Sequence, residues 1–180
     1  MEEVAIHAPE GFGHVLFGHI ERLLEKHRIA VHQMECFAAA SGPGSFTGVR
    51  VGLAAAKGLA EAAGKRVVAV SNLRALASFG SAPLRAAVID ARRGEVYAAV
   101  YNSRLEIVMP EVVVNFEAWR AALPAGCELI SSVAVPRPLA AAIGGIAAGE
   151  FTAGRASDPA EIDANYVRRS DAELFWKDPV

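Results

Sequence analysis

Residues 41–48 read Ser-Gly-Pro-Gly-Ser-Phe-Thr-Gly, and the alanine-rich run Val-Arg-Val-Gly-Leu-Ala-Ala-Ala-Lys-Gly-Leu-Ala-Glu-Ala-Ala-Gly follows directly. The glycines and the proline predict a tight turn without regular structure. The alanine-rich run predicts a helix over residues 48–63 that ends at Gly64 as its C-cap. The apolar runs 36–40 and 66–70 are short and are typical of buried strands. Strand, turn, helix and strand in this order predict a βαβ unit with a parallel sheet.

Periodicity organises the rest of the chain. Apolar residues at helical spacing predict an amphipathic helix over residues 14–28. A β-hairpin is predicted from residue 85 to residue 101, with residues 91–94 as its turn. Further elements are predicted as a helix (72–79), a strand (112–114), a helix (116–123), a strand (128–135) and a helix (139–148). A break at residues 80–83 predicts two lobes, 1–79 and a smaller 80–180 with a C-terminal tail.

Composition excludes several classes of protein. Of the 180 residues, 53% are hydrophobic and 21% charged, which excludes intrinsic disorder and a coiled coil. The net charge of −2 argues against strong autonomous binding of nucleic acid. Cys36 and Cys127 lack metal-ligand spacing and are predicted to be buried free thiols. The start resembles no signal peptide and no apolar run reaches the roughly 20 residues of a membrane span, so we expect a cytoplasmic protein.

The Gly-rich turn has two interpretations. A glycine-rich loop before a helix N-terminus can bind phosphate, or it can be a tight strand-to-helix turn capped by Ser45 or Thr47. The Walker lysine is absent, because Gly48 is followed by Val49 and Arg50. A cation in the first turn of a helix is disfavoured by the helix dipole. We therefore expect a partner for Arg50: a carboxylate of the fold as the commonest answer, an anion, or another chain.

Small residues recur along the helix after the turn. Gly48, Gly52, Ala56 and Ala60 are spaced four residues apart, so they share one face. Each interior glycine costs about 1 kcal/mol of helix propensity, and close packing can offset that cost. The partner of this face is either the chain's own sheet or a helix of another subunit, and the spacing leaves both open.

The sequence contains no strong catalytic motif. All five histidines lie at or before His32, without metal-ligand spacing, and no serine stands in a nucleophile-elbow motif. A hydrolytic triad and a metal site are therefore not predicted. Asp90 and Glu95 flank the hairpin turn, where carboxylates can bind a metal or act as acid and base. Capping of the turn and pairing with Arg92 or Arg93 is the commoner outcome, and the role of the two carboxylates stays open.

Three motifs together resemble the signature of the TsaB family, also called YeaZ. They are residues 41–60, residues 70–76 (Val-Ser-Asn-Leu-Arg-Ala-Leu) and residues 89–97 (Ile-Asp-Ala-Arg-Arg-Gly-Glu-Val-Tyr), with a weaker match at residues 166–169. The resemblance implies an α/β chain with the actin-like, Hsp70-like ATPase fold in two lobes. The first predicted helix begins soon after Met1, so the usual N-terminal β-hairpin of the family is expected to be missing. The expected cause is either truncation or a misassigned start codon.

The resemblance also implies a function. Members of the family are non-catalytic scaffold subunits for the N6-threonylcarbamoyladenosine modification at position 37 of tRNA. They dimerise with a TsaD-type catalytic subunit or with themselves, a TsaE-type ATPase joins them, and tRNA is reached through the complex. We expect neither a cofactor nor binding to a membrane. Weak nucleotide binding is expected only within the complex. Asn72 and Leu76 stand where the catalytic relative carries an iron-binding His-x-x-x-His pair, and leucine cannot ligate a metal.

The resemblance favours the subunit-contact interpretation of the small residues. The predicted partner-binding residues lie on the two N-terminal helices: Leu16, Ile20, Val51, Gly52, Ala55, Ala56 and Leu59. The predicted motif turn consists of Gly42, Pro43, Gly44, Ser45, Thr47, Gly48 and Arg50. Catalytic and metal-binding residues are predicted to be absent. The alternative functions are a nucleotide-binding ATPase or kinase-like enzyme and a glycoprotease-like peptidase, both of the same fold.

Overall fold

The computed structural model describes residues 2–6, 8, 11–133 and 137–167. The described residues form two β-sheets with helices packed on them. In chain order the elements are α1 (Leu16–His27), β1 (Cys36–Gly42), α2 (Phe46–Ala63), β2 (Arg66–Ser71), α3 (Asn72–Ala77), β3 (Leu84–Arg92), β4 (Glu95–Asn102), β5 (Ile107–Asn115), α4 (Phe116–Ala121), β6 (Glu128–Ser131) and α5 (Ala140–Thr152). Short 3₁₀ helices span Val31–Gln33 and Pro159–Glu161.

The first sheet confirms the predicted βαβ unit. β1 and β2 run parallel, with Cys36 opposite Arg66 at one end and Ala40 opposite Val70 near the other. α2 connects them and ends at Gly64, whose φ of 64° is the left-handed conformation of a C-cap. The short apolar runs of the strands and the alanines of the helix were sufficient to predict this unit.

The irregular stretch between β1 and α2 is shorter than predicted. β1 continues to Gly42, which lies opposite Ser71 after a bulge in the register, and α2 already begins at Phe46. Only residues 43–45 are therefore irregular, and the prediction of an irregular 41–48 is wrong. The helix can begin early because the Ser45 side chain caps it.

The second sheet has the strand order β5-β4-β3-β6. β3 and β4 form the predicted hairpin, but Arg92 pairs with Glu95, so the turn contains two residues rather than four. Those two, Arg93 and Gly94, have φ values of 57° and 78°, as a two-residue turn of type I′ requires. β5 is also longer than the predicted 112–114 and pairs antiparallel with β4.

The chain returns to the first sheet after residue 139. Ile143 and Ala147 of α5 pack against Val68 and Val70 of β2. On the opposite face of the sheet, Ile162 joins the core that α2 forms. The break at residues 80–83 thus separates the two sheets, while α5 and the segment after it lie on the first one. The predicted division into 1–79 and 80–180 stays a prediction.

Three further expectations concern the cysteines, the weaker sequence motif and a membrane-spanning helix. Cys36 and Cys127 are free but half-buried rather than buried, and burial raises the pKa of each thiol. Arg168 and Arg169, the end of the weaker motif, lie outside the described residues. Within the described part of the chain, no helix is both long and apolar enough to cross a lipid bilayer.

Candidate functional site

Two asparagines hold the Gly-rich turn in place. The Nδ2 of Asn72 donates to the carbonyl oxygen of Pro43 at 3.0 Å, and the backbone N–H of Asn165 donates to the carbonyl oxygen of Ser41 at 2.7 Å. Gly42 has a φ of +100°, and a Cβ there would lie 3.3 Å from the carbonyl oxygen of Asn165. Backbone conformation and close approach therefore both call for glycine at this position.

The start of α2 is capped by Ser45. Its Oγ accepts from the N–H of Gly48 at 3.3 Å, which satisfies one of the unpaired donors of the first turn. Thr47 is exposed and forms no cap. Of the two candidates from the sequence, Ser45 is thus the capping residue.

Arg50 is bound by aromatic residues. Its Nε and Nη2 donate to the Tyr166 hydroxyl at 3.0 and 2.8 Å, and its guanidinium carbon lies 3.4 Å from the ring centre of Phe46. Among the described residues no carboxylate forms a salt bridge with Arg50, although a carboxylate was the commonest of the three expected kinds of partner. A hydroxyl acceptor and the electron-rich ring face compensate the charge instead.

A cleft of about 690 Å³ opens between the Gly-rich turn, the β3–β4 hairpin and residues 164–167. Its lining includes Ser41, Ser45, Asp90, Arg92, Tyr97 and Tyr166. The Oδ1 of Asp90 accepts from the backbone N–H of Arg92 at 2.8 Å, which is the turn-capping role that the sequence favoured. Among the described residues, no group of three or more His, Cys, Asp or Glu could hold a metal ion.

A second concave surface lies along α1. This helix has Leu16, Ile20, Leu23 and Leu24 on one face, yet within the described structure none of its residues is buried. A groove of about 670 Å³ runs between α1, the segment up to Gln33, and Leu59 of α2. At Gly52, also on α2, no described atom other than the neighbouring backbone of the helix itself lies within 4 Å of an added Cβ. An apolar helix face with so little burial can accept a packing partner.

The predicted contact residues of α2 divide into two groups. Ala55 and Ala56 are each 7% exposed, and Ala56 packs in the core beside Leu53. Val51, Gly52 and Leu59 are only half-buried. The small-residue face therefore serves the chain's own sheet at Ala56 and Ala60 and is open at Gly52.

Asn72 and Leu76, which stand where the catalytic relative carries its iron-binding histidines, form structural contacts in this chain. The Asn72 amide is bonded to the turn, and Leu76 is fully buried in the core of the second sheet. Neither side chain is available to a metal ion in this arrangement.

The structure adds a polar cluster that the sequence analysis missed. Oε1 of Glu111 accepts from the hydroxyls of Ser71 and Tyr101, the latter at 2.5 Å, and Oε2 accepts from Nδ2 of Asn165 at 2.5 Å. Burial, and then the bond to Glu111, raises the pKa of Tyr101. A carboxylate beside three valines in a strand was the one available signal. Its partners come from other parts of the chain, which a sequence pattern does not reveal.

Comparisons with known proteins agree on one family. A family model described as "TsaD: tRNA N6-adenosine threonylcarbamoyltransferase" matches residues 10–151. The tRNA threonylcarbamoyladenosine biosynthesis protein TsaB of Bacillus subtilis (strain 168) is 38% identical over 105 residues, 56% of this chain and 46% of the relative. The protein of the same name from Haemophilus influenzae is 43% identical over 82 residues, 43% of this chain and 35% of the relative. The matched region thus spans less than half the length of these relatives.

Solved structures confirm the fold class. A crystal structure described as an uncharacterized protein with similarity to peptidase YEAZ from Pseudomonas aeruginosa superposes with a TM-score of 0.74 at 28% identity, covering 89% of this chain and 86% of that chain. YeaZ from Pseudomonas aeruginosa gives a TM-score of 0.73 at 24% identity over the same shares of the two chains. The α/β arrangement with the actin-like ATPase fold, expected from the sequence, is therefore correct.

Proposed function

The chain belongs to the family described as TsaD, tRNA N6-adenosine threonylcarbamoyltransferase, as a TsaB (YeaZ)-type member, and from this premise we propose that it acts in tRNA threonylcarbamoyladenosine biosynthesis as a non-catalytic scaffold subunit. Its partner is a TsaD-type catalytic subunit, with a second copy of the chain as the competing occupant. A TsaE-type ATPase joins the complex, and tRNA is bound through the complex.

The observation that carries this proposal is the surface formed by α1 and the adjoining part of α2. α1 is strongly amphipathic, yet no residue of it is buried among the described residues. The groove beside it is lined mainly by apolar side chains, among them Ile20, Leu24, Val31 and Leu59. Such a surface buries its apolar area when a helix of another subunit packs on it.

The non-catalytic role is supported by the residues at the aligned metal position. Asn72 is engaged by the carbonyl oxygen of Pro43, and Leu76 has no exposed surface. The chemistry then belongs to the partner, and this chain supplies shape and contact area. We propose no resident cofactor and a cytoplasmic location, with weak nucleotide binding confined to the assembled complex.

A pair of glycine substitutions tests the contact surface. At both Gly52 and Gly58 an added Cβ meets no described atom within 4 Å apart from the neighbouring backbone of the helix itself. Both residues lie on α2, at positions that do not share a face. We expect Gly52→Arg to abolish association with the TsaD-type subunit and with a second copy, while Gly58→Arg leaves both intact. Light scattering and co-purification give the two readouts, and circular dichroism verifies that each variant is folded.

Equal association of the two variants with the partner contradicts the assigned surface. Loss of association in Gly58→Arg alone would place the contact on a different face of α2. An unchanged Gly52→Arg complex, together with unchanged self-association, would remove the scaffold proposal's structural basis.

The second candidate is a nucleotide-dependent enzyme of the ATPase or kinase type. It is favoured by the cleft of about 690 Å³ beside the Gly-rich turn, where α2 presents its N-terminus. Calorimetry with Mg²⁺ and ATP separates the two: clear binding to the isolated chain favours the enzyme, whereas binding only after the partner is added favours the scaffold. A peptidase activity, named in the description of one structural neighbour, is tested by a protease assay with and without chelator.

A further inference from the structure

Glu111 is the point at which three separate segments meet. Its Oε1 accepts from the Ser71 hydroxyl at the end of β2 and from the Tyr101 hydroxyl of β4 at 2.5 Å. Its Oε2 accepts from Nδ2 of Asn165 at 2.5 Å, in the segment after the second 3₁₀ helix. Hydrogen bonds to a carboxylate are short and about twice as strong as those between neutral groups. A single side chain therefore joins both sheets and the C-terminal segment.

Two of these partners lead directly to the Gly-rich turn. Ser71 accepts from the backbone N–H groups of Leu73 and Arg74 and so caps α3. Its neighbour Asn72 is the residue that holds Pro43 at 3.0 Å. The position of one side of the turn thus depends on how Ser71 is held.

The other side of the turn depends on Asn165. Its backbone N–H is bonded to the carbonyl oxygen of Ser41 at 2.7 Å, and its own carbonyl oxygen lies against Gly42. Both residues that fix the turn are therefore either bonded to Glu111 or next in sequence to a residue that is.

The third partner anchors Glu111 to a rigid part of the molecule. Tyr101 is 1% exposed and belongs to the core that α3 and β3 build. Burial and the bond to Glu111 raise the pKa of Tyr101, so its hydroxyl keeps its proton and donates at all ordinary pH values. The carboxylate is thereby fixed relative to the second sheet.

We propose that Glu111 is a latch that positions the Gly-rich turn and the start of α2 against the second sheet, and so sets the width of the cleft between the turn and the β3–β4 hairpin. While the latch is closed, Asn72 and Asn165 keep the turn in the observed conformation. When it is open, residues 164–166 and the turn move together, because both are held through the same carboxylate. The latch couples the second sheet to α2 whether or not α2 contacts a partner.

Amide hydrogen exchange on the isolated full-length chain tests the latch. Asn165→Ala removes the side-chain arm of the latch and leaves the backbone bond to Ser41 possible. We expect exchange at the amides of residues 44–49 and of residue 165 to become at least tenfold faster, while the amides of β3 and β4 keep their rates. The matched control is Glu106→Ala, since Glu106 also accepts from an asparagine amide, Asn102, but lies on an exposed turn without contact to the cluster. It should leave the same amides unchanged.

A donor–acceptor reversal makes the test specific. Asn165→Asp alone sets two carboxylates against each other and should accelerate exchange in the turn more than Asn165→Ala. Combining it with Glu111→Gln restores a pair, because the glutamine amide then donates to the aspartate, and exchange should return towards the wild-type rate. Unchanged exchange at residues 44–49 in Asn165→Ala, or absence of rescue in the double variant, overturns the latch. Neither result depends on a partner protein, so the proposed scaffold role stands or falls separately.

Discussion

Arg50 and Tyr166 lie 116 residues apart in the chain, and yet the guanidinium of the first donates through Nε and Nη2 to the hydroxyl of the second. The same guanidinium lies over the ring of Phe46. The N-terminal part of α2 is therefore tied to the segment that follows the second 3₁₀ helix. Because α2 begins at Phe46, Arg50 is the fifth residue of the helix and lies beyond the first turn, where the helix dipole disfavours a cation most.

A double-mutant cycle measures this contact. We expect Tyr166→Phe and Arg50→Ala to couple by about 0.5–1 kcal/mol, because the bond is to a charged donor but is exposed to solvent. The free energies of unfolding of the wild type, both single variants and the double variant, from urea titrations, give the coupling. Strict additivity of the two substitutions would contradict the contact.

Gly80 lies where an added methyl group must displace neighbouring side chains. An added Cβ would lie 2.7 Å from Cδ1 of Ile130 and 2.9 Å from Oε2 of Glu128. Ile130 is only 6% exposed and has little room to move. We expect Gly80→Ala to lower the free energy of unfolding by about 1–3 kcal/mol.

The matched control for Gly80 is Gly58→Ala on α2. No described atom lies near an added Cβ there, and alanine is the better helix former by about 1 kcal/mol. The control should therefore raise stability where Gly80→Ala lowers it. Two changes of the same sign would show that the close approach at Gly80 does not govern stability.

Arg28 ends α1 in the left-handed conformation, with a φ of 55°. This conformation is sterically strained for a residue with a side chain, whereas glycine adopts it without strain. We expect Arg28→Gly to raise the melting temperature, with a gain of about 1 kcal/mol in the free energy of unfolding. The measurement is thermal unfolding followed by circular dichroism, and a decrease in melting temperature would contradict the assignment of this cap.

Glu150 gives the chain a pH-dependent contribution to stability. The Arg155 guanidinium, and with it Arg74, lowers the pKa of Glu150 below its ordinary value near 4.5, with Arg74 Nη2 at 2.6 Å from Oε1. The unfolded chain therefore takes up this proton at a higher pH than the folded chain does. The contribution is complete above the unfolded-state pKa and is lost as the pH falls through the lower, folded-state pKa.

The Glu150→Gln variant tests this contribution. We expect it to be less stable than the wild type at pH 7 and to lose less stability than the wild type between about pH 5 and pH 3. Denaturant unfolding at several pH values measures the difference between the two curves. Parallel curves over that interval would show that Glu150 does not respond to pH in this way.

Local structure was predictable because it depends on neighbours in the chain. The alanine-rich run and Gly64 predict α2 and its end, and residues 85–101 predict the β3–β4 hairpin. Both predictions succeed because hydrophobic periodicity and turn-forming residues act within a few residues of the chain. The boundary at Ser41 and Gly42 was misjudged, because pairing with β2 extends a strand into residues that favour a turn. Tertiary pairing outweighs local preference there.

The contacts that hold the candidate site could not be predicted from local patterns. Glu111, Tyr101 and Asn165 meet through the packing of two sheets and a returning segment, and none of them stands in a recognisable motif. The partner of Arg50 was expected to be a carboxylate, because charge pairing is the common solution. The fold instead brings Tyr166 to that position, and a hydroxyl with a ring face takes the same role.

Hydrogen exchange of the chain with and without a TsaD-type catalytic subunit tests the central claim most directly. A scaffold that binds through α1 and the open part of α2 should show slowed exchange across Leu16–His27 and around Gly52 when the subunit is added, with little change in β3 and β4. Protection confined to the β3–β4 hairpin, or no protection anywhere despite binding of the subunit, would contradict the claim that this helical surface is the place of contact.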